Sequence, residues 1–275
     1  MNDRAAEIND HLQSEVEDSK FLLEKIKDLE KEIEQLVADK TSKDLFISVI
    51  AHDLKSPFQG LLGISDLLLS SLDQIGKEEV REYINYMRTS IDSIYSMVDK
   101  LLQWSRVLID QMHFKLTNCN LYEVMSSTIL LYSTALRIKE ITILNNIDIN
   151  SYCYSDENML NTIFRNLLSN AIKFSSKGSA IETGSTKTES AIIVWVKDNG
   201  VGISNENKKK LFRLDQHFST TGTNEETGSG LGLLLCNELL KKNSGKIWFE
   251  SELGSGSVFF ISLPLYKNEL ADERD

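Results

Sequence analysis

The sequence predicts a protein with an all-helical N-terminal part and an α+β C-terminal part. Two observations support this fold class. Apolar residues recur at helical spacing between residues 8 and 108, whereas shorter helical and strand-like runs mix after residue 113. We expect a coiled coil, then a helical hairpin that forms a dimeric four-helix bundle, then an α/β sandwich. The 275-residue chain is long enough for two domains and an extension.

Segment 1–40 has the pattern of a coiled coil. Its apolar residues alternate at spacings of four and three along one seam, which Glu15 and Ser19 weaken: Ile8, Leu12, Leu22, Ile26, Leu29, Ile33 and Leu36. A lone helix with so narrow a seam is marginal in water, so we expect a dimer; a solvated single helix is the alternative. The seam loses its phase at Lys40 and Lys43, where rotation of the helix could be passed onward.

Segment 41–110 predicts two antiparallel helices. The first runs through Leu61 and Leu68 to about Leu72, and residues 71–76 form the turn. The second carries an apolar face formed by Tyr83, Met87, Ile91, Ile94, Val98, Leu101 and Leu108. Two helices cannot bury such stripes alone, but two hairpins from two subunits make a four-helix bundle.

Segment 111–266 alternates strands and helices, and a charged tail follows at 267–275. Expected strands lie at 113–118, 140–146, 151–154, 179–185, 190–197, 246–251 and 257–263. Expected helices lie at 121–139, from a cap at Ser155 or Asp156 to Phe174, near 205–212, and from about Gly230 to Lys242. The polar residues 214–229 are expected to form a mobile lid.

Composition excludes several classes of protein. The net charge is −11 and no basic stripe occurs, so we expect no nucleic-acid partner. Three cysteines without metal-like spacing fit a reducing compartment. No run of eighteen apolar residues occurs and the N-terminus is polar, so we expect no membrane segment and no signal peptide. A cytoplasmic protein, or the cytoplasmic portion of a larger one, is the expectation.

The most informative segment is 46–57, an amphipathic helix in which Pro57 weakens the next turn. His52 lies about 200° from the apolar stripe and is followed by Asp53. A neutral imidazole in solvent beside a carboxylate is a usable nucleophile. A solvated His-Asp pair is the alternative interpretation.

Three polar segments follow far downstream. In segment 165–174, Asn166, Asn170, Lys173 and Phe174 share one helix face, although asparagine is a poor residue for a helix interior. Segment 198–203 is an Asp-Asn-Gly-Val-Gly-Ile turn after an apolar strand. Segment 228–233 is a Gly-Ser-Gly-Leu-Gly-Leu loop that opens a helix, where free N–H groups can cradle phosphate.

These four segments, in this order, resemble the H, N and two glycine boxes of sensor histidine kinases, and the resemblance extends from about Thr41 to Pro264. It implies a dimerisation and histidine phosphotransfer domain at 41–110 and a GHKL-type ATP-binding catalytic domain at 111–266, which follow the expected coiled-coil signalling helix at 1–40. It implies autophosphorylation of His52 by ATP and Mg²⁺, with Asp53 orienting the ring. The phosphoryl group would pass to an aspartate of a response regulator receiver domain.

The resemblance also implies the nucleotide-binding residues. Asn170 would bind Mg²⁺, and Asn166 and Lys173 would lie near the phosphates. The nucleotide site comprises Asn166, Asn170, Lys173, Phe174, Asp198, Gly200, Gly202, Ile203, Phe212, Arg213, Gly228, Gly230, Leu231 and Gly232. Asp198 would accept a hydrogen bond from the exocyclic amine of adenine, and the glycines would let the backbone approach the base.

Two positions depart from the family pattern. No Lys or Arg lies between Arg213 and Lys241, so a lid cation on the terminal phosphate comes from Arg213 or is absent. Ser56 stands where relatives with phosphatase activity carry Thr or Asn. Its hydroxyl can orient a water molecule, or it simply occupies a solvated position before Pro57.

Two other functions remain open from the sequence. An ATP-driven conformational clamp of the GHKL type would need no exposed His52 and would release free phosphate. A non-catalytic dimeric signalling scaffold would need no intact nucleotide motifs, whereas all three are intact here.

Overall fold

The computed structural model describes residues 21–23, 25–34, 37, 51, 54–71, 75–108, 115–213, 220–224, 226 and 230–265. The chain divides into two compact units, 1–51 and 52–275. In the first unit, the described residues between 21 and 37 are helical and exposed. Seven of them are large apolar side chains: Phe21, Leu22, Leu23, Ile26, Leu29, Ile33 and Val37. Of the expected seam, Ile8, Leu12 and Leu36 lie outside the described residues, as do Lys40 and Lys43, where the seam was expected to lose its phase.

The second unit begins with two long helices. Residues 54–71 are helical (α1), and α2 is Lys77–Leu108. Each helix half-buries one stripe at helical spacing, which is the pattern of two helices that cover each other along one face. The stripe of α1 contains Leu54, Pro57, Leu61, Ile64 and Leu68; that of α2 contains Tyr83, Met87, Ile94, Met97 and Leu101. Ile91 and Val98, expected on this face, are exposed instead.

The remainder is a two-layer sandwich of helices on a sheet. Its helices are α3 (Leu121–Leu131), α4 (Ser133–Lys139), α5 (Glu157–Phe174), α6 (Asn205–Lys208) and α7 (Gly232–Lys242). Its strands are β1 (Thr117–Asn120), β2 (Thr142–Asn146), β3 (Tyr152–Ser155), β4 (Ala180–Lys187), β5 (Ala191–Asp198), β6 (Lys246–Glu252) and β7 (Gly256–Pro264). The α + α+β fold class is confirmed.

Five strands form the main sheet in the order β2-β4-β5-β7-β6. Only the β2–β4 pair is parallel among these described strands, and β1 and β3 form a separate antiparallel ribbon. One face of the sheet packs under α3, α5 and α7. The largest fully buried side chains lie between these layers, mainly Phe164, Leu160, Leu167, Leu168, Ile181, Leu235 and Leu239.

Three expected boundaries were wrong. The first strand begins at Thr117 rather than 113 and pairs with β3, outside the main sheet. The expected helix 121–139 breaks at Tyr132, whose N–H bonds the Ile129 carbonyl in a tighter turn. Helix α6 ends at Lys208 instead of continuing to 212.

Two further features bear on the expectations from composition. Cys119, Cys153 and Cys236 are all buried free thiols. Within the described residues, no helix combines the length and apolar character that a membrane crossing requires.

Candidate nucleotide-binding site

A cavity of about 170 Å³ lies where the end of α5, the start of α7, the end of β5 and the start of β7 meet. Its walls are mainly apolar, with few polar groups among them, which is typical of a small-molecule site. The lining residues are Asn170, Phe174, Asp198, Val201, Gly202, Ile203, Asn207, Leu211, Thr220, Thr221, Leu233, Ser257 and Phe259.

Asp198 is the buried acid of this cavity. It is the last residue of β5, and only 4% of its surface is exposed. Burial raises its pKa to about 6, although hydrogen bonds from the N–H groups of Gly200 and Ser257 to the carboxylate act in the opposite direction. The Gly200 bond is 2.9 Å long. A carboxylate in an apolar cleft is a strong acceptor for a donor that enters with a ligand.

The turn after β5 is fixed to the β6–β7 hairpin. The Ile203 N–H donates to the Ser251 hydroxyl at 2.9 Å, and the Gly254 N–H donates to the Val201 carbonyl at 2.8 Å. Gly202 lies between these bonds with φ +66°, and a β-carbon there would collide with the Glu252 carbonyl oxygen. The turn therefore requires glycine at 202 for both conformation and space.

Helix α5 belongs to both the core and the cavity. Asp156 caps this helix, because its carboxylate accepts a hydrogen bond from the Met159 N–H at 3.1 Å. Of the two caps expected from the sequence, Ser155 and Asp156, the structure therefore has Asp156. Leu167, Leu168, Ala171 and Ile172 are buried in the core. The intervening positions carry the polar face, so the helix can present amides to the cavity at a fixed position.

The polar face of α5 has three functional candidates. Asn170 lines the cavity. Asn166 donates from its amide to the Thr162 carbonyl, and its Oδ1 lies close to Gly232 of α7. Lys173 donates to the Thr220 carbonyl at 2.6 Å, and its ammonium lies 4.7 Å from the Phe174 ring centroid.

The second glycine segment begins α7. The helix starts at Gly232, two residues later than expected, and its N-cap is Leu231. The apolar side chain of Leu231 is buried and offers no capping bond to the first-turn amides. Gly230 has φ +66° and Gly228 lies outside the described residues.

The structure brings five of the expected residues together at the cavity: Asn170, Phe174, Asp198, Gly202 and Ile203. Phe212 instead packs on Phe249, with ring centroids 5.8 Å apart, and Arg213 is exposed. His52 and Asp53 lie outside the described residues, as does most of the expected lid. Ser56 is exposed on α1.

Several lining residues were missed by the sequence reasoning. Leu211 was only part of an expected short helix, and Phe259 only part of an expected strand, whereas Leu233 ended the glycine segment 228–233 without being assigned to the site. Thr220 and Thr221 were within the expected lid but had no individual signal. Ser257 had no individual signal either, because its place at the cavity comes from the strand register that makes it the partner of Asp198.

Two family models match the chain in the regions that this geometry occupies. Residues 155–267 match the histidine kinase-, DNA gyrase B- and HSP90-like ATPase. Residues 42–108 match the His Kinase A (phospho-acceptor) domain. The fold and cavity thus define an ATPase domain of the histidine kinase, gyrase and HSP90 type, preceded by a phosphoacceptor helical domain.

The chain resembles curated and solved histidine kinases over most of its length. It is 28% identical over 242 residues to the autoinducer 2 sensor kinase/phosphatase LuxQ of Vibrio vulnificus, covering 86% of this chain and 28% of LuxQ. The Acinetobacter baumannii histidine kinase AdeS shares the fold, with a TM-score of 0.62 at 18% identity over 78% of this chain and 98% of the AdeS chain. Histidine kinase ThkA, solved with the response regulator TrrA, has a TM-score of 0.63 at 23% identity over 79% of this chain and 60% of its own.

Together, the two ordered domain matches show a phosphoacceptor domain followed by an ATPase domain, and these relatives show that the chain is similar to sensor histidine kinases. It spans less than a third of the LuxQ length.

We predict that the turn after β5 tolerates no side chain at position 202. Gly202→Ala adds a left-handed alanine and a backbone collision, and should lower the free energy of unfolding by about 3 kcal/mol or more. Gly254→Ala is the matched control, because Gly254 also has a positive φ (+84°) but open space around it. The control should lose only about 1–2 kcal/mol. Urea unfolding followed by tryptophan fluorescence measures both, and equal losses would contradict the collision.

Proposed function

We propose that this chain binds ATP in the cavity, transfers the γ-phosphoryl group to His52, and passes it to an aspartate of a response regulator. The observation that carries the proposal is the buried Asp198 carboxylate in an apolar cavity beside Asn170. This arrangement lies in the domain that matches the ATPase family, and the phosphoacceptor match lies in the same chain.

Asp198 recognises the base in this proposal. Its carboxylate accepts a hydrogen bond from the exocyclic amine of adenine, while Phe174, Ile203 and Phe259 supply apolar walls to the ring. An apolar cleft with one buried acceptor fits a flat heterocycle that carries an amino group. In this proposal adenine binds the ionised form of Asp198, because a charged carboxylate is a stronger acceptor than the protonated acid.

Asn170 holds Mg²⁺ in this proposal, and Lys173 lies near the phosphates. Mg²⁺ uses few protein ligands and takes its others from phosphate and water, so one amide oxygen at the cavity suits it. Among the described residues, there is no cluster of three or more His, Cys, Asp or Glu that could hold a metal ion. Mg²⁺ supplies charge neutralisation at the phosphates.

At the phosphoacceptor, a neutral ring nitrogen of His52 attacks the γ-phosphorus in line. A P–N bond forms as the bond to the β–γ bridging oxygen breaks, and ADP leaves with that oxygen. Asp53 accepts the hydrogen bond of the other ring nitrogen and takes up its proton, which stabilises the developing positive charge. Catalysis is mainly positioning and charge neutralisation.

We propose a homodimer with a response regulator as partner. The support for the dimer is apolar surface on the hairpin: Phe58, Leu62, Leu69, Ile84, Ile91, Tyr95 and Leu102 are at least half exposed in the single chain. A second hairpin would cover this surface. The support for the regulator is its presence with ThkA, a protein of the same fold.

The proposed domain boundaries are 1–40, 41–110 and 111–266, with a charged tail at 267–275. The reaction consumes ATP, so we place these domains in the cytoplasm. Ser56 gives the hairpin a second proposed activity, since its exposed hydroxyl can orient water toward the phosphorylated aspartate of a docked regulator. The name of LuxQ, a kinase/phosphatase, supports this pairing of activities.

His52 is the proposed nucleophile. His52→Gln should abolish acid-labile labelling from γ-labelled ATP without changing ATP affinity, because the nucleotide binds in the other domain. His113→Gln is the matched control and should label normally. Acid-labile label retained on His52→Gln, or free phosphate as the sole product of the wild-type protein, would contradict the assignment; the latter favours the conformational clamp.

The affinity for adenine should depend on pH through Asp198. Because its pKa in the free protein is raised to about 6, the acid is protonated below that pH, and binding of adenine must then release the proton. Affinity for adenosine, which has no phosphate to titrate, should be constant above about pH 7 and fall toward tenfold per pH unit well below 6. Calorimetric titration between pH 5 and 8 measures it, with the unfolding midpoint recorded at each pH as a control. Affinity independent of pH would remove the proposed role.

Ser56 is the residue proposed to position water for phosphatase activity. The protein with ADP and Mg²⁺ should weakly accelerate loss of phosphate from the phosphorylated regulator, and Ser56→Ala should eliminate this effect while autophosphorylation persists. Ser70→Ala, an exposed serine farther along α1, is the control that should behave as wild type. Equal acceleration by wild type and Ser56→Ala would show that Ser56 positions no water.

A further inference from the structure

Lys139 is a buried charge outside the cavity. It is the last residue of α4, and only 4% of its surface is exposed. Lysine is almost never buried without a partner, because its ammonium loses hydration. Its Nζ has four oxygen partners: the carbonyls of Ile172 at 2.9 Å and Lys173 at 3.1 Å, the Thr223 hydroxyl at 2.9 Å and the Glu226 carboxylate at 2.6 Å.

These four partners belong to two different elements. Ile172 and Lys173 are in the last turn of α5, whose carbonyl oxygens have no partner within the helix. Thr223 and Glu226 belong to the segment that leads into the second glycine motif. Lys139 therefore caps the end of α5 and, through the same ammonium, ties segment 220–226 to it. The cation is also favourable at a helix C-terminus.

Further hydrogen bonds also hold segment 220–226 against the end of α5. The Thr223 N–H donates to the Lys173 carbonyl at 3.0 Å, and the Thr223 hydroxyl donates to the Ser175 carbonyl at 2.7 Å. Glu226 accepts from the Asn224 N–H at 2.8 Å through the oxygen that Lys139 does not pair with. Its two carboxylate oxygens thus hold the segment and the ammonium at once.

We call the contacts of Lys139 with Thr223 and Glu226 the anchor. Along the chain, the anchor lies next to residues of the cavity wall. Thr220 and Thr221 line the cavity, and the Thr220 carbonyl accepts from the Lys173 ammonium. On the other side of the anchor, Glu226 precedes Gly230 by four residues. Whatever fixes Thr223 and Glu226 therefore limits where both the Thr220–Thr221 wall and the start of α7 can lie.

We propose that Lys139 and Glu226 are positioning residues for the nucleotide: their ion pair holds segment 220–226 against the end of α5 and so keeps the cavity wall in its binding position. The inference rests on the proposed ATP site. It adds two residues that touch neither the base nor the phosphates, and it assigns a task to an acidic residue in a segment that contains no Lys or Arg.

Capping and anchoring can be separated by substitution. Glu226→Gln removes the charge of the pair but leaves Lys139 on the Ile172 and Lys173 carbonyls, so the fold should be retained. Lys139→Gln disturbs the cap and the anchor together. A role in folding alone predicts that Glu226→Gln keeps the wild-type affinity at any temperature where it is fully folded, whereas a positioning role predicts a loss of affinity there.

The experiment is calorimetric titration of the full chain with a non-hydrolysable ATP analogue and Mg²⁺. We expect Glu226→Gln, titrated well below its unfolding midpoint, to weaken affinity about tenfold and to show faster amide hydrogen exchange in 220–226. Its unfolding midpoint should be lower than that of the wild type, because the buried Lys139 loses its counter-charge. Glu182→Gln is the matched control, because Glu182 also pairs with a lysine, Lys197 at 3.4 Å, but on β4. Its affinity should equal that of the wild type.

The double variant Lys139→Gln/Glu226→Gln tests the coupling. It should bind no more weakly than Lys139→Gln alone, because one interaction cannot be lost twice. Affinity of Glu226→Gln within twofold of the wild type, a loss matched by Glu182→Gln, or additive losses in the double variant would each overturn the anchor. A wild-type protein that binds no nucleotide would overturn the proposed function itself, and the anchor with it.

Discussion

The site depends on how the C-terminal end of α5 satisfies its carbonyl oxygens. A helix leaves its last carbonyls without internal partners. Here the Ile172 oxygen accepts from Lys139, the Lys173 oxygen from Lys139 and Thr223, and the Phe174 oxygen from the Val201 N–H at 3.3 Å. Three separate segments are thus attached to one helix end. The helix is itself held by its buried face, so the base-binding turn and segment 220–226 take their positions from the core.

This arrangement explains which parts of the molecule could be predicted from sequence. The boundaries of α5, β5 and β7 follow from strong periodicity and clear caps, and Asn170 and Asp198 stand out because their residue types are unusual where they occur. Ser257 and Thr221 carry no such signal, since their role comes only from the register and the return of the chain.

The burial of Lys139 could not be predicted from the sequence. A lysine at the end of a short helix is ordinarily a solvated residue that favours the helix C-terminus, and nothing in its neighbours predicts burial. Its partners are 33 and 87 positions away in the sequence, at Ile172 and Glu226. The break of the expected helix at Tyr132 was equally hidden, because local propensity favours continuation and the tighter turn is set by packing.

The pairing of β5 with β7 has a consequence for the order in which the domain is built. Asp198 lies opposite Ser257, and these strands are separated along the chain by α6 and α7, whereas the β4–β5 and β6–β7 hairpins close locally. Closing a long loop costs chain entropy before its contacts form, so we expect the local hairpins to form before the β5–β7 junction. The carboxylate meets the Ser257 N–H only at that junction. A ligand of this cavity therefore recognises the completed sheet and adds its binding free energy to the whole cooperative unit.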